Sequence, residues 1–353
     1  MRHIDLHTAA VPRSMAVFHA IGTAADRDDE ITLVTVRPAA AFVSVGYHQL
    51  ASREIRADYC RARQIPVCRR MVGGGAVLLD PGQVFWHLIL PGGRAAISDL
   101  YAALLPAPVA VYQRLGVPAE ARPLNDIMVG PKKIGGTGAA TIGQSLIFVG
   151  SLMFDFDREL MAKVLNVPSE KFRDKMVQSL KDYMTTLHDE LGDGAPSPAE
   201  AVALLVEEFS NLLDSPAHSG TLTEEEERLT REFEDSLFDP GFVFQDEGWF
   251  EDRVKIRDGV YLYEGLAKAP GGLVRIIWQD DHGLLKDVWI GGDFTLEPAR
   301  ALEVLKERWK GQPADLAGLR RHAEAVFAEL GVAGLTVDDL MAAFAHPERL
   351  AAP

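Results

Sequence analysis

The sequence predicts an α+β fold, with a mixed α/β arrangement in its first part. Short apolar runs broken by Pro and Gly dominate residues 32–90, helical spacing dominates residues 157–237, and a second series of strands followed by helices ends the chain. With 353 residues the chain has the length of about two domains. We expect a first domain over residues 1–240, including connecting helices from about residue 192, and a small α+β domain over residues 241–353.

The strands of the first domain are predicted from apolar runs. Four such runs are Ile31 to Val36, Phe42 to Val45, Ala76 to Leu79 and Val84 to Leu90. Apolar residues at helical spacing predict a crossing helix over Asp99 to Leu115. Two further strand-like segments, Asn125 to Gly130 and Ser145 to Phe156, bracket a glycine-rich stretch.

Helices follow, and three of them have clear start signals. The pattern is helical from Asp157 to Leu191, and capping boxes at Ser197 to Glu200 and Thr223 to Glu226 predict two more helices. In the last domain we predict strands over Val254 to Ile256, Val260 to Tyr263, Leu273 to Trp278 and Gly283 to Ile290. Helices are then predicted over Glu297 to Lys310, Pro313 to Leu330 and Val337 to Ala345, the last capped by Thr336 with Asp339.

Composition excludes several classes of protein. The net charge of −15 and a pI near 5.1 disfavour binding to nucleic acid or to an anionic membrane. No apolar run is long enough for a membrane span or a signal peptide, so we expect a cytoplasmic protein. The two cysteines, Cys60 and Cys68, fit neither a disulfide framework nor a zinc site. The histidines show no metal spacing, and His87 is interpreted as a satisfied structural residue of a strand.

The first candidate site is a glycine triplet, Gly73, Gly74 and Gly75, which follows Arg69 and Arg70. Three missing side chains allow the backbone to approach a ligand closely, and Arg offers a donor fork for carboxylate or phosphate. A flexible turn is the alternative, but the arginine pair in an acidic chain favours ligand binding.

The second candidate site is the segment from Asn125 to Gly138. Asn125 and Asp126 suit a polar ligand or hydrated Mg²⁺, and Lys133 returns to the same end of a hairpin after Gly130 and Pro131. A lysine held there would stabilise developing phosphate charge. An Asx turn with two surface lysines is the alternative.

Taken in order, these segments resemble the lipoate-protein ligase family, within the biotin and lipoate ligase fold. The family's motifs have counterparts in Val43 to Gln49, Arg69 to Asp80, Asn125 with Asp126, Lys133 to Gly136, and Gly150 to Leu152. The resemblance extends to Ser14 to Ala16, Lys175 to Leu187, and the accessory domain around Gly291 to Phe294.

The resemblance implies an enzyme that uses ATP, with Mg²⁺, to activate lipoate or octanoate as an acyl adenylate. The acyl group would then pass to a lysine of a lipoyl carrier protein or domain. Lys133 would neutralise charge in both transition states, and Asn125 and Asp126 would position the nucleotide or Mg²⁺. The remaining implied binding residues are Arg70, Val72, Gly73, Gly74, Gly75, Ala76, Val77, Leu79 and Gly136.

The sequence departs from the family's motifs at several positions. Val72 replaces a serine, Leu79 a histidine, and Val149 the histidine of a His-Gly pair, while Phe18 and His19 replace an acidic pair. These changes suggest a specialised branch, such as single-chain ligases that serve the lipoyl carriers of sulfur-oxidising systems.

Three rival functions remain open. An octanoyltransferase would carry the acyl group on a cysteine without ATP, but Cys60 and Cys68 both precede the glycine triplet. A biotin ligase lacks support because its Gly-Arg-Gly-Arg loop is absent. A non-catalytic protein that binds a lipoyl carrier is disfavoured because four residues of the motifs are retained: Arg70, Asn125, Asp126 and Lys133.

Overall fold

The computed structural model describes residues 1–93, 97–122, 125–166, 170–245 and 260–350, and of residues 97–98 and 170–174 it describes the backbone alone. The chain divides into two compact units. The first unit comprises Met1–Val45, Glu54–Met71 and Ala76–Val243. The second comprises Gly46–Arg53, Val72–Gly75 and Phe244–Pro353, so two short segments from the first part of the sequence belong to it.

The first unit is built on a mixed eight-stranded sheet and a small three-stranded sheet. Its strands are β1 (Arg2–Ala9), β2 (Thr32–Pro38), β3 (Phe42–Val45), β4 (Val67–Arg69), β5 (Val77–Leu79), β6 (Gln83–Pro91), β7 (Ala119–Arg122), β8 (Asp126–Val129), β9 (Lys132–Ile142), β10 (Ser145–Met153) and β11 (His218–Ser219). The large sheet has the order β11-β1-β2-β6-β10-β9-β8-β7, in which β1 runs parallel to β11 and β2 and the other pairs are antiparallel. The small sheet has the order β4-β3-β5.

The helices of the first unit are α1 (Val11–Ala24), α3 (Ala57–Ala62), α4 (Ile97–Leu104), α5 (Pro106–Arg114), α6 (Arg158–Val164), α7 (Glu170–Tyr183), α8 (Leu187–Leu191), α9 (Pro198–Leu212), α10 (Glu224–Ser236) and α11 (Pro240–Val243), with a 3₁₀ turn at Gly192–Gly194. The short helix α2 (Ala51–Glu54) lies mostly in a segment of the second unit. None of the helices described is long and apolar enough to cross a membrane.

The two faces of the large sheet have different neighbours. Trp86 and Phe148 lie on one face, within a buried core that includes Phe209 of α9; the Trp86 and Phe209 ring centroids are 5.5 Å apart. His87, the next residue along β6, points to the opposite face, where its ring lies 4.5 Å from that of Phe18 in α1. We call this second surface the α1 face.

The second unit has its own sheet and core. Its antiparallel strands β12 (Val260–Ala269), β13 (Gly272–Asp281), β14 (Leu284–Gly292) and β15 (Glu348–Arg349) have the order β14-β13-β12-β15. Its helices are α12 (Ala301–Trp309), α13 (Leu316–Leu330) and α14 (Val337–Ala345). Fully buried Trp309 and Phe294 belong to the core between them.

Most predicted elements are present, with some differences in their extents. All three predicted capping boxes are confirmed, at Ser197, Thr223 and Thr336. The predicted helix over Asp99 to Leu115 is two helices, the second beginning at Pro106, where a missing N–H is tolerated. The helical pattern predicted from Asp157 to Leu191 is confirmed, and it forms three helices, α6, α7 and α8, of which Asp157 and Thr186 cap the first and last. The strand predicted over Val254 to Ile256 lies outside the described residues.

Candidate active site

The hairpin of β8 and β9 contains an extra residue that determines where Lys133 points. Asp126 pairs with Gly136 and Met128 pairs with Lys133, which leaves Ile134 as a β-bulge on β9. In a regular strand, residues three positions apart point to opposite faces. The bulge instead brings the Lys133 side chain to the face of Gly136, where a β-carbon on Gly136 would lie 3.0 Å from the lysine Cε and Nζ.

Lys133 and Asp126 form an ion pair on this face. The lysine Nζ lies 2.5 Å from Oδ1 of Asp126, and the two side chains are 27% and 22% exposed. The backbone N–H of Thr185 donates to the Lys133 carbonyl over 2.9 Å. The Asp126 carboxylate therefore holds the ammonium, and the missing side chain of Gly136 leaves room for it. The ammonium remains accessible to solvent.

Asn125 makes contacts that stabilise the hairpin. Its Nδ2 donates to the Thr137 carbonyl over 2.8 Å, and the Thr137 hydroxyl donates to the Asn125 carbonyl over 2.9 Å. The side-chain amide thus holds the start of β8 against β9. A role in binding a nucleotide stays a prediction for this residue.

Small residues leave part of the α1 face open beside the ion pair. Gly136, Gly138 and Ala140 alternate along β9, and Val149 and Ser151 lie on β10; all five are partly exposed, and we call them the small-residue floor. Their neighbours Ala139, Phe148 and Leu152, on the opposite face, are buried. The alternation of small residues along β9 is a sequence signal for this surface that lies outside the family's motifs.

Two buried histidines lie where α1 covers the sheet. His19 of α1 makes bonds at both ring nitrogens: Nδ1 lies 2.8 Å from the Met15 carbonyl, and Nε2 accepts the Met71 backbone N–H over 3.0 Å. These partners assign the proton to Nδ1. His87 differs, because its buried Nδ1 has no hydrogen-bond partner among the described residues. Burial lowers the pKa of each histidine to about 3, so both rings are neutral at pH 7.

The interpretation of His87 as a satisfied structural residue is therefore wrong. The ring is 3% exposed, and its register partner on β10 is Val149, the position at which the family's motif has a histidine. An imidazole thus stands one strand away from that position, on the same face of the sheet.

The two arginines of the first candidate site have different environments. Arg69 is 1% exposed, and its guanidinium donates to the carbonyls of Phe242 and Val243 over 3.0 and 2.6 Å, which fixes α11. Arg70 is partly exposed and donates to the Ser44 carbonyl over 3.0 Å. Desolvation lowers the pKa of Arg70 to about 10, so it stays charged at pH 7. Of the pair, Arg70 is the one suited to an anionic ligand.

Ala76, Val77 and Leu79 lie on or beside β5 of the small sheet and are partly exposed. Val77 pairs with Ser44, and Leu79 pairs with Phe42. Their implied part in binding the substrate or the nucleotide stays a prediction.

The glycine triplet and Val72 belong to the second unit. Gly74 has φ +91°, and its N–H donates to the Phe294 carbonyl over 3.2 Å. A β-carbon on Gly73 would lie 2.5 Å from the same carbonyl oxygen. Val72 is fully buried, and its carbonyl accepts the Tyr47 N–H over 3.1 Å. Close backbone packing is thus a second reason for glycine here, beside the predicted phosphate binding.

The described residues do not fit a protein-held Mg²⁺ at Asp126. The lysine ammonium lies where a cation would bind the carboxylate, and the described chain contains no cluster of three acidic, histidine or cysteine residues suited to a metal. No chemical step is assigned to such an ion.

Both cysteines of the chain are buried thiols. Cys60 is 1% exposed and Cys68 is 0% exposed. Desolvation raises the pKa of both, that of Cys68 to about 12, although Arg70 opposes the shift. At neutral pH neither supplies a reactive thiolate.

These features together describe an accessible ammonium on a fixed hairpin, beside a partly exposed surface of small residues. Such an arrangement can bind an acid whose carboxylate lies at Lys133 and whose chain lies over small residues. Residues 12–210, more than half of the chain, match the model of the lipoyl protein ligase A/B catalytic domain.

The chain belongs to this family. Lipoate-protein ligase A subunit 1 of Thermoplasma acidophilum is 30% identical over 206 residues, which cover 56% of this chain and 78% of that protein. The octanoyltransferase LipM of Kyrpidia tusciae is 28% identical over 211 residues, which cover 52% of this chain and 76% of that protein. The family assignment therefore gives an enzyme of the lipoate ligase and transferase class.

Solved structures agree on the biotin and lipoate ligase fold. A chain of the bipartite lipoate protein ligase system of T. acidophilum, studied with its E2 lipoyl domain, has a TM-score of 0.64 at 29% identity and covers 69% of this chain and 95% of its own. Lipoate-protein ligase A bound with ATP has a TM-score of 0.60 at 25% identity, with 69% and 98% coverage. P. falciparum LipL1 matches 94% of this chain and 95% of its own with a TM-score of 0.69 at 14% identity, which shows the fold alone.

Proposed function

We propose that this protein is an ATP-dependent lipoate-protein ligase. The observation that carries the proposal is the Lys133 ammonium, held by Asp126 and the space at Gly136 beside the small-residue floor. An ammonium in that position stabilises negative charge on a carboxylate and a phosphate at once. The ATP-bound relative supports ATP as the second substrate.

In the first step, a carboxylate oxygen of lipoate attacks the α-phosphorus of ATP. The bond from that phosphorus to the α,β-bridging oxygen breaks, and pyrophosphate leaves with the electron pair. Lys133 neutralises part of the charge on the carboxylate and the α-phosphate, which lowers the barrier to the approach of two anions. Arg70, which is charged at pH 7, binds a second anionic group of the substrates.

In the second step, the neutral amine of a carrier lysine attacks the acyl carbon of the adenylate. The bond from carbon to the phosphate oxygen breaks, AMP leaves, and the attacking nitrogen loses a proton to solvent as the amide forms. Lys133 again stabilises the developing charge on the leaving phosphate. The lipoyl domain studied with the archaeal relative supports a lipoyl carrier as the acceptor.

Ligase chemistry is favoured over octanoyl transfer by the state of the cysteines. A thioester route needs an accessible thiol that ionises near neutral pH. Cys60 and Cys68 are the chain's two cysteines, and both are buried with a raised pKa. The similarity to LipM keeps the transferase as the second candidate.

We also propose that residues 1–240 carry the catalysis and that residues 241–353 act as an accessory domain. The family match ends at residue 210, which supports a separate role for the C-terminal strands and helices. Residues 72–75 cluster with that C-terminal part, so substitutions in either are expected to affect the same step.

Release of pyrophosphate tests the proposed function. The protein is mixed with Mg²⁺-ATP and lipoate, octanoate or biotin, with no carrier, and a reaction without acid is the control. We expect release that depends on lipoate or octanoate. An absence of release with every acid, together with carrier-dependent acyl transfer from a donor thioester, would support the transferase instead.

A further inference from the structure

His87 is a buried polar group whose bonding in the protein is incomplete. Its Nδ1 lies out of contact with water and makes no hydrogen bond to the described residues. The ring is packed between aromatic groups, with centroid distances of 4.5 Å to Phe18 and 6.4 Å to Phe85. A buried polar atom without a partner destabilises a fold, so a ligand that supplies the partner gains free energy.

The position of His87 relates it to the small-residue floor. Across the sheet His87 pairs with Val149, and Val149 pairs with Gly138. His87 is covered by α1, whereas Val149 and Gly138 are partly exposed, so the cover ends next to the imidazole. The ring therefore lies beside this open surface, one strand from Val149.

The distance from Lys133 to His87 suits a medium-chain acid. Gly136, next to the lysine ammonium, is two strands across and two residues along from His87. Strand spacing and rise then give about 12 Å between the α-carbons of Gly136 and His87. An acid with its carboxylate at Lys133 brings the far end of its chain to His87, and a short-chain acid does not.

We propose that His87 contacts the distal end of the acyl substrate and selects lipoate over octanoate. The inference rests on the proposed function, and it assigns the substrate of the same site. The dithiolane sulfur of lipoate is a weak acceptor for an imidazole N–H. Octanoate ends in a methyl group, which leaves the buried nitrogen unpaired.

Other polar groups near this surface do not suit the same role. Both ring nitrogens of His19 are occupied by backbone partners. Nε1 of Trp86 also has no partner among the described residues. This residue lies on the opposite face of the sheet, in the core that includes Phe209 of α9. His87 is thus the group that has both the position and the missing hydrogen bond required for contact with the distal end of the substrate.

Direct binding of lipoate and octanoate, measured by titration calorimetry without ATP, tests the proposal. We expect His87→Val to lower the ratio of lipoate to octanoate affinity by about threefold or more, the size of a weak hydrogen bond. In the double variant His87→Val/Val149→His, an imidazole returns to the same face one strand away, and we expect much of the ratio to return. If His87→Val impairs folding, the affinity ratio is measured for His87→Phe instead, which keeps an aromatic ring but has no ring nitrogens.

Ile89→Val is the matched control, because Ile89 is the next residue of β6 on the α1 face and is fully buried. Its affinity ratio should equal that of the unmodified protein. A ratio unchanged in His87→Val and His87→Phe, or no recovery in the double variant, would overturn the proposal. Pyrophosphate release by the unmodified protein is measured in parallel. If that release is present and the affinity ratio of the His87 variants is unchanged, the role of His87 is rejected and the proposed function is not.

Discussion

The Lys133 ammonium lies 2.5 Å from the Asp126 carboxylate because Ile134 adds one residue to β9. Without this bulge, Lys133 would point away from the face that carries Gly136. Each of these residues has a distinct part: Ile134 sets the direction of the lysine, Gly136 leaves the space for its amine, and Asp126 holds the charge.

Removal of the lysine charge should abolish most adenylate formation. We expect Lys133→Ala to lower acid-dependent pyrophosphate release by about 10² or more, the loss observed when one charge-stabilising donor is removed. Lys132→Ala is the control, since the backbone of this neighbouring lysine pairs with Val129 at the end of the hairpin. This variant should keep the rate of pyrophosphate release of the unmodified protein. Equal rates for the two variants would remove Lys133 from the mechanism.

A methyl group at Gly136 should displace the ammonium without harming the fold. The new β-carbon of Gly136→Ala would lie 3.0 Å from Cε and Nζ of Lys133, the flexible end of a side chain. We expect pyrophosphate release to fall about tenfold or more, because a small displacement of a catalytic group is costly, while the melting temperature stays within a few degrees.

Gly194→Ala is the matched control, since a β-carbon at Gly194 meets no atom within 4 Å. A Gly136→Ala protein with a normal rate would show that the ammonium's position is unimportant.

Substitution of Asp126 should leave the Mg²⁺ requirement unchanged. Its carboxylate pairs with a lysine, so we expect Asp126→Asn to reduce the rate while the half-saturating Mg²⁺ concentration, measured at fixed ATP, changes by less than about twofold. A tenfold increase in that concentration would instead identify Asp126 as a metal ligand.

The two buried histidines should make stability fall in mild acid. Burial lowers the pKa of His19 and His87 to about 3, below the value of 6.5 in the unfolded chain, so between these pH values the unfolded state binds more protons. Stability is then fully present above about pH 6.5 and declines as the pH falls toward 3, by about 1.4 kcal/mol per pH unit for each histidine.

Urea unfolding between pH 6.5 and 5 measures this slope. We expect His87→Phe to reduce it by about one proton relative to the unmodified protein. Identical slopes in the two proteins would contradict the assignment of neutral His87.

Local signals predicted the element boundaries well where a side chain hydrogen-bonds to the backbone of the helix that it caps. Ser197, Thr223 and Thr336 each start a helix as expected, because the capping bonds lie within four residues. Strand β1 was missed: Ile4 is its one fully buried apolar residue, and His3, Asp5 and His7 hide the alternation. Its stability comes from pairing with β2, which is distant in sequence.

The candidate site was predictable in its residues but not in its geometry. Motif order located Lys133, Asp126 and Arg70. The two-residue alternation of a β-strand cannot show that Lys133 and Gly136 share a face, because a bulge lies between them. The pairing of His87 with Val149 likewise depends on register between strands about 60 residues apart, which no local pattern contains.

The central claim is activation by ATP without a cysteine. The most direct measurement is lipoate-dependent pyrophosphate release by the double variant Cys60→Ala/Cys68→Ala, with no carrier present. Because both thiols are buried and have a raised pKa, the account predicts a rate close to that of the unmodified protein. Loss of release in a variant that keeps the normal circular dichroism spectrum would contradict the account, because it would place a thiol in the ATP-dependent step.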